Sequence, residues 1–217
     1  MRYFDALDLA SNPTGAVPLE PQEAVVDDCG RFRASNLPRA TLGFIAIAID
    51  DPPGVTPAEP HRATGVVFAN QLGSEPNDVR AYATRVATDQ LWTTSAGLTG
   101  STFAERGVLL KVFVHQDQPV AGIGARRNGA AVPDDDFYFS DAGRTRRTVD
   151  PARSATGPNG SVLVINGPSP TAHDGAGGEP TGCVRPETLG AAVPGVVFVD
   201  VVEAQTLEGA ACPVSSP

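Results

Sequence analysis

Lysine is almost missing from this chain: Lys111 is the only one among 217 residues. The remaining 15 of the 16 basic residues are scattered arginines, and the formal net charge is −9. A surface of that sign repels a phosphate backbone, and no basic stripe offsets it, so nucleic acid is excluded as a partner. No apolar run approaches the roughly 18 residues needed to cross a membrane as a helix. One Met and one Trp are present, and Leu is sparse beside Val. Long helices are therefore not expected.

Cysteine is scarce too. Cys29, Cys183 and Cys212 are an odd set, which leaves at least one thiol over in a monomer. No C-x-x-C spacing exists, so a metal knuckle is not encoded. Cys183 and Cys212 are the candidate disulfide, closing a C-terminal hairpin or tail; buried or idle thiols are the alternative. The opening residues MRYFDALDLASN lack the apolar stretch of a secretory leader. They read as a strand over residues 2–9, and a chain that starts within a strand is expected to lack its true N-terminus.

Turn formers are plentiful. Gly (23) and Pro (20) make up about a fifth of the chain, a composition of turn-rich β proteins. At this length a fold buries roughly 70% of its unfolded surface, enough for a core without staples. Residues 42–49 alternate Ile45, Ile47 and Ile49 on one face with Phe44, Ala46 and Ala48 on the other. Both faces are apolar, which predicts a central strand. Strands are also expected over 64–69, 79–87, 108–115, 120–126, 137–139, 161–166 and 196–202. A short helix is expected at residues 88–96 behind Thr88 or Asp89, with a further turn at 103–106. Residues 171–182 read as a Gly-rich loop and 186–192 as one helical turn opened by Pro186. The strand-and-turn order before residue 88 recurs after residue 107, as a duplication of pattern rather than of residues.

In the stretch VVDDCGRFRASNLPRATLGFIAIAID, Asp27, Gly30, Phe32, Leu37 and Pro38 form the pattern D-x-x-G-x-F-x-x-x-x-L-P before an alternating strand. The pattern resembles carboxypeptidase regulatory-like domains, which belong with transthyretin-like and collagen-adhesin B-type modules. It departs from them at Ala40, where a Gly is usual. Pro119-Val120-Ala121-Gly122-Ile123 resembles that family's P-L-x-G-A-x-V opening, and Asn159-Gly160-Ser161 its turn. The resemblance covers about 50 residues of the first half and about 60 of the second. It implies an all-β fold of two tandem prealbumin-like seven-stranded antiparallel β-sandwiches joined by a short helical linker. The sandwiches would span residues 1–87 and 107–205, the linker 88–106 and a loose tail 206–217. A single large two-sheet sandwich is the alternative. Ala/Gly/Pro-rich loops and the excess of Arg over Lys resemble bacterial envelope or secreted proteins. An extracellular, periplasmic or outer-surface setting follows from that resemblance, as does a non-catalytic, structural or adhesive role.

Reactive constellations are weak. Asp134, Asp135 and Asp136 with Asp141, together with Asp50 and Asp51, offer the oxygens that calcium takes, but they equally read as solvated acidic turns. Calcium is the one cofactor the sequence suits; none is required. His61, His115 and His173 have no zinc spacing. Tyr3, Tyr82 and Tyr138 lack the clustering of an iron site with two Tyr and two His. There is no G-x-S-x-G nucleophile elbow. Adhesin B-type relatives often carry an internal Lys–Asn or Lys–Asp amide, with a buried carboxyl group as proton shuttle. Lys111 and Asp200 fit the two ends, and no Glu stands on the strand at 161–166. Lys111 therefore either faces solvent or pairs with Asp200. Trp92 and Tyr138 are candidate ligand-stacking rings, weighed against ordinary packing. The expectation is a non-enzymatic surface module binding protein or glycan. An accessory carbohydrate-binding unit, or a small hydrolase or metal-dependent enzyme in the loops, is the alternative.

Overall fold

A computed structural model describes residues 1–12, 15–19, 44–51, 54, 56–69, 81–141, 146–166, 171–177, 183–184, 188–190 and 192–206. The motif residues Asp27, Gly30, Phe32, Leu37 and Pro38 lie outside these, as do Cys29 and Cys212. The elements of the first half are β1 (Arg2–Asp5), α1 (Ala6–Ser11), β2 (Phe44–Ile49), β3 (His61–Ala69) and β4 (Thr84–Arg85). Two helices follow, α2 (Val86–Ser95) and α3 (Phe103–Arg106). Next come β5 (Val108–His115), β6 (Gln118–Pro119), β7 (Ile123–Arg127), β8 (Asp136–Phe139) and β9 (Val149–Asp150). The remainder are β10 (Ser161–Ile165), β11 (Thr171–Gly177), β12 (Cys183–Val184), β13 (Thr188–Gly190), β14 (Val196–Glu203) and β15 (Gln205–Thr206).

The chain is β-rich, as its composition predicts. Its described strands do not form two tandem antiparallel sandwiches, however. Ten of them make one sheet in the order β1-β2-β3-β14-β5-β10-β8-β9, with β4 on β3 and β6 on β5. The joint is β14, which runs parallel to both β3 and β5. Its sequence explains the place. Val197 and Val199 cover one face, Phe198 and Val202 the other, and all four are buried. A strand apolar on both sides needs neighbours at both edges and cover on both faces. Described strands from both halves of the chain thus share a sheet, and α2 and α3 lie on one face of it.

On that face, Trp92, Phe103 and Ala104 pack on Val108, Leu110, Phe139, Leu163 and Val199. Trp92 meets Phe139 edge-on at 5.9 Å, and Phe103 meets Phe137 at 5.2 Å. The opposite face is covered in part by a three-stranded sheet, β13-β11-β7. Ile123 and Ala125 of β7 join the core there with Leu109, Phe113, Tyr138, Val162 and Phe198. Gly175 of β11 allows the close approach. A Cβ there would lie 2.6 Å from Ile123 Cγ2 and 2.8 Å from the Phe113 ring.

Local chemistry accounts for the departures at the ends. The expected strand over residues 2–9 stops at Asp5, whose carboxylate accepts from Leu7 N at 3.0 Å and Asp8 N at 3.4 Å. That cap turns the chain into α1, and Ala6 and Leu9 enter the core. Residues 171–177 and 188–190, read as a loop and a helical turn, pair as strands. The turn after β5 is made by Gln116 and Asp117 alone, with φ 50° and 63°.

Candidate functional site

Among the described residues, two places concentrate chemistry, one on each face of the main sheet. The first is sealed. Lys111 lies at the centre of β5, fully buried, with its Nζ 3.5 Å from Asp200 Oδ2 on the adjacent β14. The Asp200 side chain keeps 25% exposure, so the pair reaches solvent only through the carboxylate. Lys111 Nζ also lies 5.8 Å from the Phe113 ring centroid. The outward-facing alternative for Lys111 is thereby corrected. A strand with every position from Val108 to Phe113 buried leaves no solvent side for it.

Around this pair the two sheets bring in further groups. Asp136 and Tyr138 of β8 lie on the Lys111 side of the sheet, in register with Val164 and Val162. His173 of β11 and Arg127 of β7 are paired with each other in the covering sheet. His173 is 1% exposed. Burial, with the positive Lys111 and Arg127 adding to it, pulls its pKa down to about 3, so it is a neutral imidazole. Burial also pushes Asp136 up to about 7, against the opposing pull of Arg127. Tyr138 is pushed up to about 12, again by burial first, and its hydroxyl accepts from Ala125 N at 2.9 Å. Tyr138 is therefore a bolt between the layers and not an exposed stacking ring.

The acidic cluster is dispersed by the same folding. Asp135 pairs with Arg127 Nη2 at 2.6 Å and accepts from Asn166 Nδ2 at 2.8 Å. Asp136 is buried, Asp134 is exposed, and Asp141 accepts from the backbone of Arg147 and Thr148, both at 2.8 Å. Among the described residues, no group of three or more His, Cys, Asp or Glu is arranged to hold a metal ion. Asp51 is held low by the His61 backbone amide, and its carboxylate also meets His61 Nδ1 at 3.0 Å. Asp50 faces Arg2. His115 Nδ1 is 3.1 Å from Ala204 O. The Cys183–Cys212 bridge involves a residue outside the described ones.

The second place is open. A cleft of about 390 Å³ lies on the helix-bearing face. Its floor is Leu110 and Val199, and Trp92 and Thr88 of α2 form one wall. Tyr82 and three arginines, Arg85, Arg146 and Arg147, complete the rim. The fold sets these positions firmly. Asp89, fully buried in α2, pairs with Arg62 of β3 at 2.8 Å and accepts from Ala104 N at 3.0 Å, which fixes α2 against β3 and α3. Trp92 Nε1 donates to Arg146 O at 2.6 Å, and Arg146 Nε donates to Ser161 Oγ. Trp92 is 3% exposed, so it acts as an inner wall. No lining residue carries a carboxylate, an imidazole or a thiol.

Of the residues singled out in the sequence, Trp92 and Tyr82 lie in this cleft. The arginines read as scattered along the chain. The signal that could have marked them is the Arg146-Arg147 pair in an acidic, almost lysine-free chain. Among the described residues no helix is long and apolar enough to cross a membrane. Comparison with family models, with curated proteins and with solved structures finds no match to this chain.

Proposed function

We propose that this chain is a non-enzymatic, structural or adhesive binding module of carboxypeptidase regulatory-like or transthyretin-like type. It works on a secreted or cell-surface protein and holds a protein or glycan partner. The observation that carries this reading is the separation of its chemistry. The open cleft offers exposed guanidinium groups and the partly exposed Tyr82 ring, which recognise a ligand. It lacks the carboxylate or imidazole that general acid–base work on a bound substrate uses. Asp136 and His173, whose titration is displaced towards neutral forms, are buried on the opposite side of the sheet.

The test is capture without turnover. The purified full chain is applied to a glycan array and used to retain envelope proteins from an extract. Retention of a glycan or a protein, released unchanged, is the expected result. Steady conversion of a bound glycan or ester to product would move the chain among the enzymes and overturn the reading.

A further inference from the structure

We infer that the cleft beside α2 is a binding site for an acidic saccharide, with its carboxylate held by Arg147 and Arg85 and its ring laid against Tyr82. This rests on the binding-module reading above and narrows its ligand. Charge comes first. The chain carries −9 overall, so an anion meets repulsion over most of the surface. Three arginines nevertheless rim one cleft that has no acidic lining residue. Arg147 and Arg85 are exposed, and the Arg85 partner, Glu59, is itself an exposed surface residue outside the lining. A planar guanidinium presents paired donors that match a carboxylate.

Shape supplies the second half. The volume of about 390 Å³ falls at the small end of ligand pockets, which suits a single sugar residue or a short saccharide. Leu110 and Val199 lie buried at the base, and Tyr82 offers a partly exposed ring, as a sugar C–H face requires. A bare inorganic anion would use the arginines and leave that ring uncovered.

The only Trp gives a direct reporter, because its indole N–H yields one signal and its ring lines the cleft. The nitrogen-labelled full chain is titrated by NMR with glucuronate, with glucose and with inorganic phosphate. Glucuronate is expected to shift the Trp92 indole signal saturably, and glucose is not. Arg147→Ala should weaken glucuronate at least about tenfold, the loss of one charged hydrogen-bonding partner. Arg147→Lys should recover part of it, and Arg85→Ala repeats the test should the first variant fail to fold. Glucose binding as well as glucuronate would remove the carboxylate from the inference. Phosphate binding as tightly as glucuronate would remove the sugar. Silence of the indole with all three, while the array or extract still yields a partner, would overturn the inference and leave the binding-module reading standing. Silence everywhere would overturn both.

Discussion

Under the three-stranded sheet, an ammonium, an imidazole and a carboxyl group are enclosed between layers; under the helices, the core is largely hydrocarbon, anchored by the buried Asp89 with Arg62, and further arginines stand at the cleft rim. The two faces of the main sheet therefore differ in how much charge they enclose. Interior charge must be matched or neutralised, and each enclosed group shows how: Lys111 by Asp200, His173 by losing its proton, Asp136 by keeping one. Arg85 and Arg147 at the rim are exposed to water and need no such arrangement.

The largest effect should come from breaking the enclosed pair unevenly. Asp200→Ala leaves the Lys111 ammonium inside without its carboxylate and should cost about 3–5 kcal/mol in urea unfolding. Lys111→Met removes the charge with the volume kept and should cost far less, since Asp200 still reaches water. Equal losses would mean that the pair is simple packing. The same proteins weighed intact should show the calculated mass. A deficit of one water would mean that Lys111 and Asp200 have condensed to an amide.

The helix face offers the matching experiment. Asp89→Ala strands Arg62 and the Ala104 amide together, at about 2–3 kcal/mol by the same unfolding assay. It should also disturb the cleft, whereas Asp200→Ala should not. A Trp92 indole signal unchanged in Asp89→Ala would show that the cleft does not depend on that anchor.

Proton linkage sharpens the comparison further. Asp136 titrates near 7 in the fold and near 3.8 when unfolded, so its contribution is intact below 3.8 and is lost as pH rises towards 7. His173 runs the other way. Its folded value near 3 lies below the ordinary 6.5, so stability present above 6.5 is lost as pH falls towards 3. Between about pH 4 and 6.5 the two largely cancel. Asp136→Asn should therefore gain on the parent protein as pH rises from about 4 to 7, by on the order of 1 kcal/mol per pH unit. A pH-independent difference would contradict the enclosed, protonated carboxyl group. The smallest effect is Trp92→Phe, which keeps the ring and loses the bond to Arg146 O, at about 1 kcal/mol.

Much of the strand grammar was readable from residues alone. The run at 108–115 is β5 and the turn at 103–106 is α3 without revision; the expected helix at 88–96 starts two residues early, as α2. These segments carry strong local patterns. Sheet order was not readable, because β14 gives the same apolar pattern whether its neighbours run parallel or antiparallel. Asp136 and Lys111 misled for one reason. A charged residue reads as exposed until its partner is known, and the partners come from other strands. Trp92 was recognised as a notable ring, but its role as a wall depends on Arg146, 54 residues away. The cleft itself has no signature in sequence, since Tyr82, Leu110, Arg147 and Val199 meet only after the sheet forms.

The position of β14 bears on how the protein is made. The strand that joins β3 to β5 leaves the ribosome after both of them, and its partners start at His61 and Val108. Contacts of such long sequence separation form slowly. Until Val196–Glu203 arrives, β3 and β5 each present an open edge, one rich in Val and the other in Val and Leu. Such edges invite pairing with another chain. A nascent or shortened chain that ends before Val196 should therefore need a chaperone more than one that includes β14.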